Sequence, residues 1–214
     1  MINIDLLTIE LNLKKRLKYQ YKWFMKQNNS YDHITNFIYS IYDFDQLLKY
    51  LESNFSKSSE YKKIFNYSLN RWYNFWSAYA IEKIFCSLPG VEPFTEKNKY
   101  SDFVIQGINF DHKTTVYPKN YPLKINDAIN KKEDLILWLY QNQSSGQRFH
   151  LKNRLFVVLY NNIDEHWKLK AEISYIKPII ENYILNFSIQ NLSKIHFLNE
   201  NDYTILSDII WVIK

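Results

Sequence analysis

The stretch SDFVIQGINFDHKTT, residues 101–115, predicts a β-hairpin that turns at Gln106-Gly107. A symmetric turn there pairs residue 105 with 108, 104 with 109, 103 with 110 and 102 with 111. Because side chains alternate between the two faces of a strand, one face is mostly apolar and the other carries Asp102, Asp111 and Lys113. The two aspartates are then directly opposed, with β-carbons about 4.5–5.5 Å apart. The hairpin therefore predicts a carboxylate pair that needs a neutralising partner.

A divalent cation is one such partner. Two carboxylates this close either raise the pKa of one member or hold a cation between them. Mg²⁺ suits the position because it binds one or two carboxylates together with waters and phosphate oxygens. Lys113 would then lie beside the ion. The alternative is an exposed hairpin on which Lys113 forms a salt bridge with one aspartate, and a slip of one residue would separate the two aspartates onto opposite faces.

A third acidic residue, Glu82, lies on a long amphipathic helix predicted from about residue 61 to 87, which ends before Leu88-Pro89-Gly90. Glu82 shares a largely apolar stripe of this helix with Phe75, Tyr79 and Cys86. A carboxylate on such a stripe is rarely buried without a partner. It either joins the metal site or pairs with Lys113 alone, and the sequence leaves both alternatives open.

The pattern along the whole chain predicts a mixed α/β protein. Helices are expected in the first sixty residues, including one over 7–26, with a break at the polar segment SKSSE, 56–60. The helix with Glu82, three strands, a helix over 124–143 and a buried strand in LKNRLFVVLYNN follow, and two more strands close the chain. We therefore expect a helical N-terminal extension, 1–60, and one further domain, 61–214.

Asp102, eight intervening residues and then Asp111-His112-Lys113 resemble the PD-(D/E)XK motif of the restriction-endonuclease-like nucleases. The resemblance covers roughly residues 61–160. It includes the acidic residue Glu82 on the preceding helix and the order helix, three-strand meander, helix, strand. Ser101 stands where the motif has proline, and the Q-x-x-x-Y signature of the exonuclease-like branch is absent.

The resemblance implies a restriction-endonuclease-like core and a Mg²⁺-dependent DNA endonuclease, with Mn²⁺ as a substitute metal. Asp102 and Asp111 would bind the metal, with Glu82 and the carbonyl of His112 as further ligands. Lys113 would orient or activate the attacking water, leaving 5′-phosphate and 3′-hydroxyl ends. A restriction-type role and a homodimer that cuts both strands would follow. The alternative is a nucleic-acid-binding protein that has this fold without turnover.

The side chain of His112 alternates away from the acidic face, so we expect it in the core. QRFHLKNR, 147–154, places Arg148, His150, Lys152 and Arg154 at alternate positions, where they could follow phosphates or form a solvated strand entrance, and Arg148, Lys152 and Arg154 are the predicted nucleic-acid contacts. The net charge of +5 and pI near 9.0 are compatible with a polyanionic partner such as DNA.

Composition and motifs exclude several other classes. The single cysteine rules out an internal disulfide framework, and the histidines have no zinc-ligand spacing. No phosphate-binding or dinucleotide-binding glycine motif occurs. Acidic residues interrupt the apolar positions of the N-terminus before a secretory signal could form, and the longest apolar runs are too short to cross a bilayer. We expect a cytoplasmic protein without a membrane partner.

Overall fold

The computed structural model describes residues 4–94, 101–142, 152–197 and 203–214. The chain forms two compact units. The first, the helical unit, contains Met1–Ile81 and Trp167–Tyr175, and the second, the sheet unit, contains Glu82–His166 and Ile176–Lys214. Within the described ranges, no helix has both the length and the apolar character needed to span a membrane.

Among the described residues, the N-terminal segment of the helical unit contains three complete α-helices and most of a fourth. Their bounds are α1 Leu6–Arg16, α2 Asn29–Ile34, α3 Phe44–Phe55 and α4 Tyr61–Cys86, the last of which continues into the sheet unit. The side chain of Asp5 caps α1 by accepting from the Thr8 N–H at 2.8 Å, as aspartate commonly does at this position. The first sixty residues are thus helical in character, as expected, and α4 agrees with its predicted span.

The prediction of one helix over 7–26 is wrong, because α1 ends at Arg16. The Arg16 guanidinium is fully buried and donates to the carbonyl oxygens of Tyr19, at 2.7 Å, and Gln20, at 3.0 Å. It also donates to Asn70 on α4 at 2.6 Å. These bonds hold the chain after Arg16 in a non-helical path, which helical periodicity alone does not reveal.

The sheet unit contains a six-stranded mixed sheet in the spatial order β1-β2-β3-β4-β6-β5. The strands are β1 Val91–Pro93, β2 Phe103–Ile105, β3 Ile108–Val116, β4 Arg154–Tyr160, β5 Ser193–Phe197 and β6 Tyr203–Ile213. The first three form an antiparallel meander, β3, β4 and β6 run parallel, and β5 pairs antiparallel with β6. The predicted mixed α/β class is confirmed.

Helices cover both faces of this sheet. On one face, α5 Ile125–Asn130 and α6 Lys132–Asn142 pack over an apolar cluster that includes Leu139, Phe156 and Ile209. The other face meets the last turn of α4, where the Phe85 ring lies 4.6 Å from that of Phe103. It also meets α7, Ile173–Leu185, whose Tyr183 donates to Asp208 at 3.0 Å. Successive residues of β3 therefore face different helices.

The hairpin between β2 and β3 has the predicted turn and register. Gln106 and Gly107 both have positive φ, 49° and 78°, as a type I′ turn requires. Phe103 pairs with Phe110, Val104 with Asn109 and Ile105 with Ile108, which confirms the register over 103–110. The twist of this turn matches the twist of the strands that it joins.

The turn gives a paired stability prediction. Gly107→Ala should lower the free energy of unfolding by about 1–2 kcal/mol, because an added β-carbon is disfavoured at positive φ. Gln106→Asn should raise it by about 0.5 kcal/mol, because asparagine adopts this conformation more readily. Urea unfolding measures both changes. Equal stability of the two variants would contradict the type I′ turn.

Candidate metal and catalytic site

The β2–β3 ladder breaks one residue before Phe103. The Asp102 N–H donates to the Phe110 carbonyl oxygen at 2.8 Å, although Phe110 is the ladder partner of Phe103. Asp102 and Phe103 thus both lie opposite Phe110, which is the arrangement of a β-bulge. The Asp102 carbonyl oxygen meanwhile accepts from the Phe94 N–H at 3.2 Å. The bulge changes the direction of the Asp102 side chain relative to a regular ladder.

The side chain of Asp102 is bound to His112. Its Oδ2 accepts from the His112 backbone N–H at 2.7 Å and lies 2.7 Å from His112 Nδ1. His112 thus lies in the core, as expected, but the prediction that it points away from Asp102 is wrong, because Asp102 leaves the regular alternation at the bulge. The His112 ring is buried and stacks beside Phe103, with ring centroids 6.2 Å apart. Both bonds fall on Oδ2, so in the described chain Oδ1 accepts none.

Glu82, which lies just before the last turn of α4, joins this pair. One potential ligand atom from each of Glu82, Asp102 and His112 lies within 4.8 Å of the other two. Glu82 is half-buried, yet it forms no hydrogen bond or ion pair with any residue that the structure describes. The alternative in which Glu82 pairs with Lys113 is not observed. We call Glu82, Asp102 and His112 the acidic cluster.

The two carboxyl groups of the acidic cluster have opposite pKa shifts. Burial, and then the negative charge of Asp102, raise the pKa of Glu82 above its ordinary value. Burial would also raise the pKa of Asp102, but the hydrogen bonds and charge of His112 outweigh it, so the pKa of Asp102 is lowered. Burial and the same carboxylates raise the pKa of the nearby Cys86 thiol to about 11.

Asp111 and Lys113 lie on the opposite face of β3. The Arg154 Nε donates to Asp111 Oδ2 at 2.9 Å, from the neighbouring position of the parallel strand β4. Lys113 Nζ lies 3.5 Å from the same oxygen. The Asp111 side chain is only 13% exposed and the Arg154 side chain 14%. Arg154 also lies over the Tyr140 ring of α6, 5.1 Å from its centroid.

The expectation that Asp102 and Asp111 converge on one face is therefore corrected. Asp111 is not a member of the acidic cluster, because Asp102 leaves the regular alternation at the bulge. Lys113 connects the two groups, since it contacts Asp111 and its positive charge contributes to the lowered pKa of Asp102 after burial and His112. The predicted site residues thus form two adjoining groups around β3.

The predicted nucleic-acid contacts have different positions. Arg148 lies outside the described residues. The Lys152 carbonyl oxygen accepts from the Tyr140 hydroxyl at 2.6 Å, and Arg154 binds Asp111 as above. Their binding to nucleic acid stays a prediction.

Sequence reasoning missed two contacts, the imidazole of His112 with Asp102 and the guanidinium of Arg154 with Asp111. The first depends on the bulge, for which the sequence contains no signal. The second could have been found by aligning the two parallel strands, because Asp111 and Arg154 are the first pair of the β3–β4 ladder.

The acidic cluster has a donor set that fits a divalent metal ion. Carboxylate oxygens suit Mg²⁺ and Mn²⁺, and imidazole nitrogen suits transition metals. His112 Nε2 is buried and has no hydrogen-bond partner in the described ranges. Among the described residues, the carboxylate oxygens of Glu82 and Oδ1 of Asp102 accept no hydrogen bond and are therefore open to a metal ion. The His112 carbonyl as a ligand stays a prediction.

The raised pKa of Glu82 gives a prediction for metal-free protein. Below the ordinary carboxyl pKa of 4.5, Glu82 is neutral in both the folded and the unfolded protein. Above it the unfolded protein loses the proton first, so the free energy of unfolding falls as pH rises through the raised pKa of the folded protein. Glu82→Gln should therefore be more stable than the unchanged protein by about 1 kcal/mol near pH 8, and the difference should vanish in acid.

Urea unfolding in a chelating buffer measures this difference across pH. Glu92→Gln is the matched control, because Glu92 is exposed on β1. A Glu82→Gln variant that is less stable than the unchanged protein near neutral pH would show that the Glu82 carboxylate has a stabilising partner.

Comparison of the chain with protein-family models, with curated proteins and with solved structures finds no match.

Proposed function

We propose that the protein is a divalent-metal-dependent DNA endonuclease that hydrolyses phosphodiester bonds, of the restriction type. The observation that carries this proposal is the unpaired, half-buried carboxylate of Glu82 beside Asp102. Two carboxylates in such surroundings repel each other unless a cation or a proton neutralises them. The resemblance of Asp102, Asp111 and Lys113 to the PD-(D/E)XK motif supports a nuclease over other metal-dependent enzymes.

The fold is consistent with the proposal. The order α4, the meander β1–β3, α5 and α6, and then β4 is the order that the resemblance implies for a restriction-endonuclease-like core. In addition, β3 carries Asp111, His112 and Lys113 in the middle of the sheet rather than on an exposed loop. Fold alone does not assign function, so the proposal depends on the site.

Each residue has a distinct role in this proposal. Glu82 and Oδ1 of Asp102 hold the metal, which when bound stabilises charge on the phosphate oxygens and acidifies a coordinated water. His112 is a positioning residue, because its two hydrogen bonds fix Oδ2 of Asp102. Lys113 is 48% exposed and donates a hydrogen bond to the attacking water or to the phosphate. Arg154 holds Asp111 in place beside Lys113 through its hydrogen bond to Oδ2.

Mg²⁺ is the proposed metal, with Mn²⁺ as its substitute. Two carboxylates with open positions for water and phosphate suit Mg²⁺. The adjacent imidazole of His112 favours a softer ion if it becomes a ligand.

A nucleic-acid-binding protein without turnover is the second candidate. One observation favours it, namely that Asp111 lies outside the acidic cluster and is already neutralised by Arg154 and Lys113. DNA binding without metal-dependent cleavage, together with absent metal binding, would support this candidate.

Metal binding is tested without relying on activity. Addition of Mn²⁺ at about 100 times its Kd should stabilise the protein by about 2.7 kcal/mol, or about 5–10 °C in Tm. Glu82→Gln and Asp102→Asn should lose this shift, because each removes a charged ligand. Asp127→Asn, an exposed aspartate on α5, is the matched control and should keep the shift. An equal shift in all three variants would place the metal elsewhere.

The role of Lys113 is tested by cleavage of supercoiled DNA. Lys113→Ala should reduce the cleavage rate at least about 100-fold while DNA binding changes little, because the lysine acts on the reacting groups. Lys131→Ala, an exposed lysine before α6, is the control and should cleave normally. Asp111→Ala should also abolish cleavage, but it is a less clean test because it leaves the Arg154 guanidinium without its carboxylate. Full activity of Lys113→Ala would refute the assigned role.

A further inference from the structure

A cavity of about 750 Å³ lies beyond the C-terminal ends of β3 and β4 in the sheet unit. The two strands are parallel here, and the Tyr117 N–H donates to the Leu159 carbonyl oxygen at 2.9 Å. Ligands of α/β proteins commonly bind outside the carboxyl ends of parallel strands. The volume lies in the range of small-molecule sites. The position is therefore suited to a ligand the size of a nucleotide.

Aromatic rings form one wall of the cavity. Tyr160 stacks on His166 with centroids 4.9 Å apart and meets Tyr117 edge to face at 5.7 Å. Tyr117 in turn meets Tyr121 at 6.1 Å. Burial, and to a smaller degree the charge of Lys119, lower the pKa of His166, so this ring is neutral at neutral pH. A planar ligand can stack on or against such a wall.

The polar groups at the cavity indicate the rest of the ligand. Lys119 and Lys124 line it, both are exposed, and neither ammonium is paired with a carboxylate in the described part of the chain. An anion can satisfy the two lysines.

We propose that this cavity binds one unpaired nucleotide of a DNA strand, with its base against Tyr160 and Tyr117 and its phosphate beside Lys119 and Lys124. Asp164 also lines the cavity, but its side chain is 76% exposed and it lies 3.4 Å from His166 Nε2. Among the lining residues, two lysines and one carboxylate leave a net positive charge, which favours a phosphate.

The position of the cavity relative to β3 supports a strand as the source of this nucleotide. Tyr117 continues the alternation of Lys113 and Thr115, on the face of the sheet that α6 covers. Tyr117 follows Lys113 by four positions of extended chain, which corresponds to a distance of about 13 Å. A strand whose scissile phosphate lies near Lys113 could thus place a neighbouring nucleotide in the cavity. The inference relies on the proposed function for its choice of DNA as the ligand.

The test measures DNA binding in EDTA, where cleavage cannot occur. Fluorescence anisotropy compares a labelled duplex that carries one unpaired thymidine with the fully paired duplex. The unchanged protein should bind the bulged duplex about tenfold more tightly, because stacking of one base contributes about 1–3 kcal/mol. Tyr160→Leu should bring the ratio of the two dissociation constants close to 1, and the double variant Lys119→Ala/Lys124→Ala should lower it.

The control is Lys177→Ala/Lys194→Ala, which removes the same charge from exposed lysines outside the cavity lining and should keep the ratio. A ratio of 1 in the unchanged protein, or an unchanged ratio in both cavity variants, would overturn the inference. Binding of free thymidine monophosphate without any binding of DNA would overturn the assignment to a strand. If the unchanged protein prefers the bulged duplex about tenfold but never cleaves DNA with any metal, the proposed catalysis is refuted while the nucleotide site in the cavity is supported.

Discussion

The candidate site depends on the two hydrogen bonds that His112 makes with Oδ2 of Asp102. In a regular ladder Asp102 would lie opposite Asp111, and two like charges in that position destabilise a sheet. The bulge opposite Phe110 replaces this repulsion with hydrogen bonds to an ionised acceptor, which are stronger than neutral ones. It also turns Asp102 toward Glu82. The bulge thus separates Asp102 from Asp111 and brings it close to Glu82.

Three successive residues of β3, Asp111, His112 and Lys113, contribute to groups on both faces of the sheet. His112 faces α4, whereas Asp111 and Lys113 lie on the side of α6 and Arg154. The two groups still influence each other electrostatically, since the Lys113 charge contributes to the lowered pKa of Asp102. In the proposed function, a phosphate bound between the two groups would contact the open oxygen of Asp102 and the ammonium of Lys113. This separation distinguishes the site from one in which all carboxylates converge on a single face.

The sequence alone predicts the features that are determined by residues close together in the chain. The turn at Gln106-Gly107, the register over 103–110 and the end of α4 before Pro89-Gly90 follow from glycine conformations, alternation and stop residues. The bulge was not predictable, because packing of Phe85, Phe103 and His112 accompanies it and these contacts form only in the folded chain. The end of α1 at Arg16 has the same origin, since its guanidinium is held by Asn70 from a distant helix. Contacts between residues distant in the sequence thus account for both errors.

Glu82 is the residue whose position is hardest to explain by stability. A half-buried carboxylate next to another carboxylate raises the free energy of the folded state whenever both are ionised. A proton relieves that cost at low pH, as the raised pKa of Glu82 indicates. A divalent cation would relieve it at higher pH, and it would compete with the proton because a carboxylate must be ionised to bind metal. Above its raised pKa, a Glu82 carboxylate without a partner is therefore costly to the fold, and the proposed metal binding is what would offset that cost.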